Sequence, residues 1–207
     1  RRDFTINAMA KRTTDGEVID IFSGKEDIKA KKIRVLHNES FIDDPTRILR
    51  ALKFSLRFGF TLDESTARFQ KEYLKNINYD IIISSPLLRA KHTAQIINVN
   101  NKKILINDKL KERDPGDLSG KPLTVTNRDE YWNYNTTIRY GTSENIREFF
   151  KRIYNFLEDL KKEDYESVLI VAHSGVSKAF NGYFEGIKDG MFLDRGLRNC
   201  EIKEYEI

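Results

Sequence analysis

Three short apolar runs, at residues 80–85, 103–106 and 167–172, leave few folds open to the second half of this 207-residue chain. The first reads Asp80-Ile81-Ile82-Ile83-Ser84-Ser85, and the third runs from Ser167 to Ala172. Each is strand length and lacks polar alternation, which predicts strands buried on both faces of a sheet. Between them Pro86 opens a helix through about residue 97. Residues 143–162 then carry Phe149, Ile153, Phe156, Leu157 and Leu160 at helical spacing. Strand–helix alternation from residue 80 onward predicts an α/β sandwich. The intervening residues 112–142 are loop-rich, with Pro115, Gly116, Gly120, Pro122 and an aromatic cluster at Tyr131, Trp132 and Tyr134. Residues 200–207 alternate strictly, which predicts an edge strand with one wet face.

Before residue 76 the texture is mainly helical, so the chain as a whole is predicted to be α+β. Residues 17–22 alternate like a short strand or hairpin arm, and Ser23-Gly24 ends it. Asp43-Asp44-Pro45 is a helix start, with acids at the positive end of the dipole. An apolar stripe of Ile48, Leu49, Leu52 and Leu56 continues to Phe58, and Gly59 stops the helix. A second helical segment runs from about 63 to 75. Residues 1–78 hold 16 Lys/Arg and 12 Asp/Glu, so the whole formal charge of +4 sits there. Those cations fit either solvated helical faces or a surface that meets phosphate backbone.

Charged residues make up 33% of the chain, and no apolar run nears the ~20 residues of a membrane span. The opening Arg-Arg-Asp predicts no signal peptide. A single cysteine, Cys200, forms no internal disulfide and fits a reducing cytoplasm. One Cys and three scattered His give no metal-ligand spacing.

Arg1-Arg2-Asp3-Phe4-Thr5-Ile6-Asn7, then Asp43-Asp44-Pro45-Thr46-Arg47 and Arg57-Phe58-Gly59-Phe60, resemble the class II tRNA nucleotidyltransferase and poly(A) polymerase family. The likeness covers residues 1 to about 71. It implies that Asp44 and Arg47 read the edge of an incoming ATP or CTP, by the same logic as base readout in DNA. It also implies that Arg1, Arg2, Asp3 and Asn7 lie by the nucleotide, and that Arg50, Lys53 and Arg57 face RNA. Spacing alone would equally make Asp44 and Arg47 a helix cap with a surface ion pair. The family holds catalytic magnesium on an acidic pair upstream of these motifs. Magnesium is therefore expected only with that upstream head, and no cofactor is expected for the chain as written.

From Asp80 the chain resembles the histidine phosphatase superfamily, the phosphoglycerate-mutase-like fold. The carriers are Ser84-Ser85-Pro86-Leu87-Leu88-Arg89-Ala90, Leu110 to Gly120, Glu144-Asn145, and Val171-Ala172-His173-Ser174-Gly175. The resemblance implies a three-layer α/β domain with Arg89 and His173 on phosphate. Glu112 would be the proton donor to the leaving oxygen, and the partner a small phosphate ester. The family's first, central strand ends in an Arg-His-Gly run carrying the nucleophilic histidine, and no such run occurs in these 207 residues. The domain is therefore expected to lack that strand, with residues 17–22 as one candidate to fill its place. Phosphate or nucleotide binding is expected rather than turnover.

The two likenesses meet near residue 72, inside a predicted helix, giving expected domains of 1–72 and 73–207. No Gly/Ser/Pro linker separates them. Such a seam is more like recombination, an assembly join or deliberate grafting than an evolved bifunctional enzyme. An RNA-processing nucleotidyltransferase with its head restored and a designed chimera without activity stay open as alternatives.

Overall fold

The computed structural model describes residues 2–192, 196–198 and 201–207. By backbone contacts the chain divides into two compact units, Arg1–Ile77 and Asn78–Ile207. The division falls just after the helix in which the two sequence likenesses meet. Among the described residues, no helix is long and apolar enough to cross a membrane.

The first unit is helical with two tiny sheets. Strands β1 (Ala10–Lys11) and β2 (Val18–Ile19) pair antiparallel, with Ala10 opposite Ile19. Helix α1 (Gly24–Lys29) leads to β3 (Lys32–Ile33), which pairs parallel with β4 (Thr61–Leu62). A short helix α2 (Ser40–Asp43) precedes α3 (Thr46–Phe58). Gly59 ends α3 at φ +67, a left-handed conformation that favours glycine. Helix α4 (Glu64–Lys75) starts on Asp63, whose side chain accepts from the Thr66 N–H at 2.9 Å. Phe4, Ile33, Val35, Phe41, Ile48 and Ala51 are its buried apolar residues around β3 and α3. The stripe predicted on α3 is buried at Ile48, whereas Leu56 is 77% exposed.

The second unit is built on a parallel sheet in the order β6-β5-β7, with β5 (Ile81–Ser84), β6 (Ile104–Ile106) and β7 (Val168–Val171). Ile81 and Ile83 join a core cluster with Phe149, Phe150, Ile153, Phe156 and Leu157 of α7 (Ile146–Leu160). Val176, Ala179 and Phe180 of α8 (Ser174–Phe184) belong to it as well, with Leu110 and Phe192 from the loops. Helix α5 (Leu88–Ile97) packs on β5 and β7 and buries Ala90, Ala94 and Ile97, which stand outside that cluster. Helices on both sides of the sheet make this unit a three-layer α/β arrangement.

Two strand expectations are corrected. Residues 17–22 do not fill a place in the large sheet, because Val18–Ile19 is spent pairing with Ala10–Lys11 in the first unit. The alternating tail forms no strand over residues 201–207, and Cys200 lies outside the described residues. Instead the Tyr205 ring stacks on Phe184 at 4.6 Å and its hydroxyl donates to Asn181. Strands β5 and β7 are direct neighbours in continuous register, Ile81 opposite Val168 through Ser84 opposite Val171. No gap opens between them, and β7 is an edge of the sheet among the described residues.

Candidate functional site

The residues of interest in the second unit gather where β5 and β7 end. All four positions of β5 are buried, and Ser85, just beyond them, is fully buried too. The chain then turns through Pro86-Leu87 into α5, which leaves Arg89 exposed in the first helical turn. Because β7 runs parallel and in register, its end lies beside Ser85, whose N–H donates to the Val171 carbonyl at 2.9 Å. Two residues on, His173 adopts an extended backbone and serves as N-cap of α8. Its Nε2 meets the Ser85 Oγ at 2.7 Å. This is the crevice beyond the carboxyl ends of parallel strands, where open α/β sheets place ligands.

Glu112 reaches the same place from the loop after β6. One carboxylate oxygen accepts from the Arg113 N–H at 2.9 Å, and the other accepts from the Gly175 N–H at 3.1 Å. Gly175 is the second residue of α8, so a carboxylate here meets the positive end of the helix. A side chain at position 175 would not fit. Its Cβ would lie 1.9 Å from Glu112 Oε1 and 2.9 Å from Trp132 Cη2.

His173 is half-buried, and its pKa falls to about 4, first through burial and second through the Arg89 charge. The imidazole is therefore neutral at pH 7. The unfolded side chain titrates near 6.5, so between about 4 and 6.5 the unfolded state holds the extra proton. Stability is complete above that window, declines as pH falls through it, and levels off below about 4. Solvent at the half-buried ring moderates the size of the effect. A series of urea midpoints should show the decline in the wild type and a flatter profile in His173→Gln. Equal slopes in the two proteins would remove this account of His173.

Sequence reasoning missed three residues at this crevice. Ser85 appeared only as part of a motif, although its hydroxyl orients His173. Arg113 is 5% exposed. It donates from Nε to the Glu144 carbonyl at 2.9 Å and from Nη1 to the Tyr131 carbonyl, with its guanidinium 3.7 Å from the Tyr131 ring centroid. Burial pulls its pKa below the usual arginine value. Trp132 lies in a stretch whose prolines and glycines predict loop, yet it stands against Gly175. The available signal was the Tyr131-Trp132 pair itself, since large aromatic residues seldom serve only as solvated loop.

In the first unit the structure gathers some predicted residues and leaves others apart. Asp3 is 2% exposed and Arg47 is 2% exposed, and their nearest approach, Oδ1 to Nε, is 3.6 Å. Arg47 Nη1 donates to the Ser40 carbonyl at 2.8 Å, and Nε lies 3.9 Å from Asp44 Oδ2. Arg50 pairs with the other Asp3 oxygen at 2.5 Å. Asp44 accepts from the Thr46 N–H at 3.1 Å, so it also caps the start of α3. Asn7 uses its side-chain oxygen locally, on the Phe4 N–H at 3.1 Å. Arg2, Lys53 and Arg57 are exposed, while Arg1 lies outside the described residues. Among the described residues, no group of three or more His, Cys, Asp or Glu could hold a metal ion.

Comparison with known proteins divides the chain in the same sense. Residues 1–34 match the Poly A polymerase head domain. An A-adding tRNA nucleotidyltransferase of Aquifex aeolicus is 55% identical over 75 residues, 35% of this chain and 9% of that protein. A CCA-adding enzyme of Leuconostoc mesenteroides is 33% identical over 136 residues, 65% of this chain and 28% of that protein. A solved tRNA nucleotidyltransferase, complexed with a primer tRNA and an incoming ATP analog, is 54% identical over 36% of this chain and 23% of its own. The TM-score is 0.35. The chain thus spans less than a third of the length of these relatives. Residues 63–207 match the histidine phosphatase superfamily (branch 1), which takes in every residue of the crevice beyond β5 and β7, and to that superfamily the chain belongs.

Proposed function

We propose that the second unit binds phosphate monoesters in the crevice formed by Arg89, Ser85, His173 and Glu112. One observation carries this reading. The exposed Arg89 guanidinium, the His173–Ser85 pair and the Glu112 carboxylate on the first turn of α8 converge at the ends of two paired strands. Arginine binds phosphate oxygens bidentately, and a neutral imidazole beside it can donate to a third oxygen. By the resemblance, Glu112 would serve as the proton donor to a leaving oxygen. Turnover through a phosphohistidine needs a histidine nucleophile besides the residues that stabilise the transferred group. Within the second unit His173 is bonded into the cluster and His92 lies on the exposed side of α5. We therefore read these 207 residues as binding phosphate esters rather than turning them over.

The test is thermal stabilisation by inorganic phosphate or vanadate. Arg89→Ala should weaken binding by on the order of 100-fold, the loss expected when a charge-assisted bidentate contact is removed. Undiminished stabilisation of Arg89→Ala would sink the site. Sustained hydrolysis of an aryl phosphate that depends on His173 would sink the restriction to binding.

A second reading concerns the first unit, on the strength of its 55% identity to a protein named as an A-adding tRNA nucleotidyltransferase. We read it as a nucleotide- and RNA-facing segment, with exposed Lys53 and Arg57 toward the RNA. Magnesium-dependent nucleotidyl transfer would belong to it only together with an acidic-pair head. We also propose a cytoplasmic location, in keeping with the single cysteine.

A further inference from the structure

Trp132 is held unusually firmly for a residue in a loop. It follows the short helix α6 (Arg128–Tyr131), and its backbone exchanges hydrogen bonds with Arg128 and Phe192. Its ring packs edge-on against Tyr131 at 5.5 Å and Phe149 at 6.4 Å. Two cations attend the same ring. Lys178 Nζ lies 4.9 Å from its centroid and the Arg113 guanidinium carbon 5.4 Å. The far edge of the indole, at Cη2, and the Glu112 carboxylate close over the same α-carbon, that of Gly175.

The edge therefore stands beside Glu112 at the first turn of α8. An aromatic ring carries negative faces and a positive rim, and cations drawn to its π-system deepen that polarity. The rim beside Glu112 is therefore complementary to the face of another ring. A leaving group made of alkyl carbons meets it only through dispersion.

Resting on the phosphate-site reading, we propose that Trp132 is a specificity-determining residue that selects phosphate monoesters of aromatic alcohols, by an edge-to-face contact with the ring next to the ester oxygen.

Phenylphosphonate and propylphosphonate test this, because neither can be hydrolysed and they differ only in the group beside the phosphonate. Wild-type protein should bind the phenyl compound about 3- to 10-fold more tightly, the range expected for one aromatic pair. Trp132→Leu should bring that ratio close to one while inorganic phosphate binds as before. Trp132→Phe keeps an aromatic ring for Tyr131 and Phe149 but is too short to reach Gly175, so it should do the same with less risk to folding. Trp132 is also the one tryptophan of the chain. Its fluorescence should therefore change when the phenyl compound saturates the wild type and stay constant with the propyl compound. An unchanged ratio in Trp132→Phe, or silent fluorescence at calorimetric saturation, overturns the proposal. Loss of all phosphate and phosphonate binding in the wild type instead overturns the phosphate site, and the selectivity with it.

Discussion

Replacing Phe150 by alanine should destabilise the second unit by about 3–5 kcal/mol, the cost of deleting a fully buried aromatic side chain and leaving a cavity. Phe150 has no exposed surface. Its ring meets Phe192 at 4.7 Å, Tyr134 at 5.2 Å, and Phe149 and Tyr154 at 6.0 Å. It thus joins α7 to the aromatic loop and to the segment after α8. Neighbours held from three directions cannot collapse into the space. The burial around it is also visible at Tyr154, whose hydroxyl pKa is pushed up to about 12 by desolvation. Urea unfolding followed by Trp132 fluorescence reports on this unit selectively. A loss below about 1 kcal/mol would mean that α7 is not the centre of the core.

The second large effect is expected in the first unit. Arg47→Ala should cost about 3 kcal/mol, because it strips the buried Asp3 carboxylate of a cationic neighbour. Among the described residues Asp3 would then keep Arg50, whose side chain is 42% exposed. The Ser40 carbonyl would also lose the Arg47 donor and keep the Asp44 N–H at 3.3 Å. Pairing Arg47→Met with Asp3→Asn should recover most of the loss, since neither charge then remains buried alone. Far-UV unfolding curves decide the matter. If Arg47→Ala kept full stability and lost only nucleotide binding, the buried cluster would be a recognition device rather than a structural one. Lys53 and Arg57 provide the contrast. Both are exposed, so neutralising them should change stability by no more than about 0.5 kcal/mol. If they meet RNA phosphates, the same change should reduce the salt slope of RNA binding by about 1.4. An unaltered slope would remove them from the interface.

These expectations differ in how far they could be read from the chain alone. The strands β5 and β7 and helix α7 were legible because burial on both faces, or on one helical face, writes a period into the residues themselves. The motifs ending in Arg89 and His173 were legible for a similar reason, since the strand that precedes each delivers it to the carboxyl end of the sheet. On α3 the period identified the apolar face but not what covers it. Ile48 is buried, while Leu56 lies 77% exposed on the same helix. Residues 17–22 show the same limit for strands. Alternation announces an extended segment and carries no information about its neighbour, and here the neighbour is Ala10–Lys11. The tail at 201–207 alternates as well, yet the stacking of Tyr205 on Phe184 governs it rather than a ladder.

The α+β class, the sheet-forming runs, the two family likenesses and the residue types at the crevice beyond β5 and β7 are all legible in the residues alone. All of these rest on local patterns within one segment. Tertiary structure alone decided that Arg47 is buried against Ser40 and Asp3. It alone decided that Ser85 orients His173, and that Trp132 and Glu112 meet over Gly175. The physical reason is distance along the chain. Trp132 and Gly175 are brought together by a buried aromatic core and the start of a helix, and burial and long-range contact have no signature in the spacing of neighbouring residues.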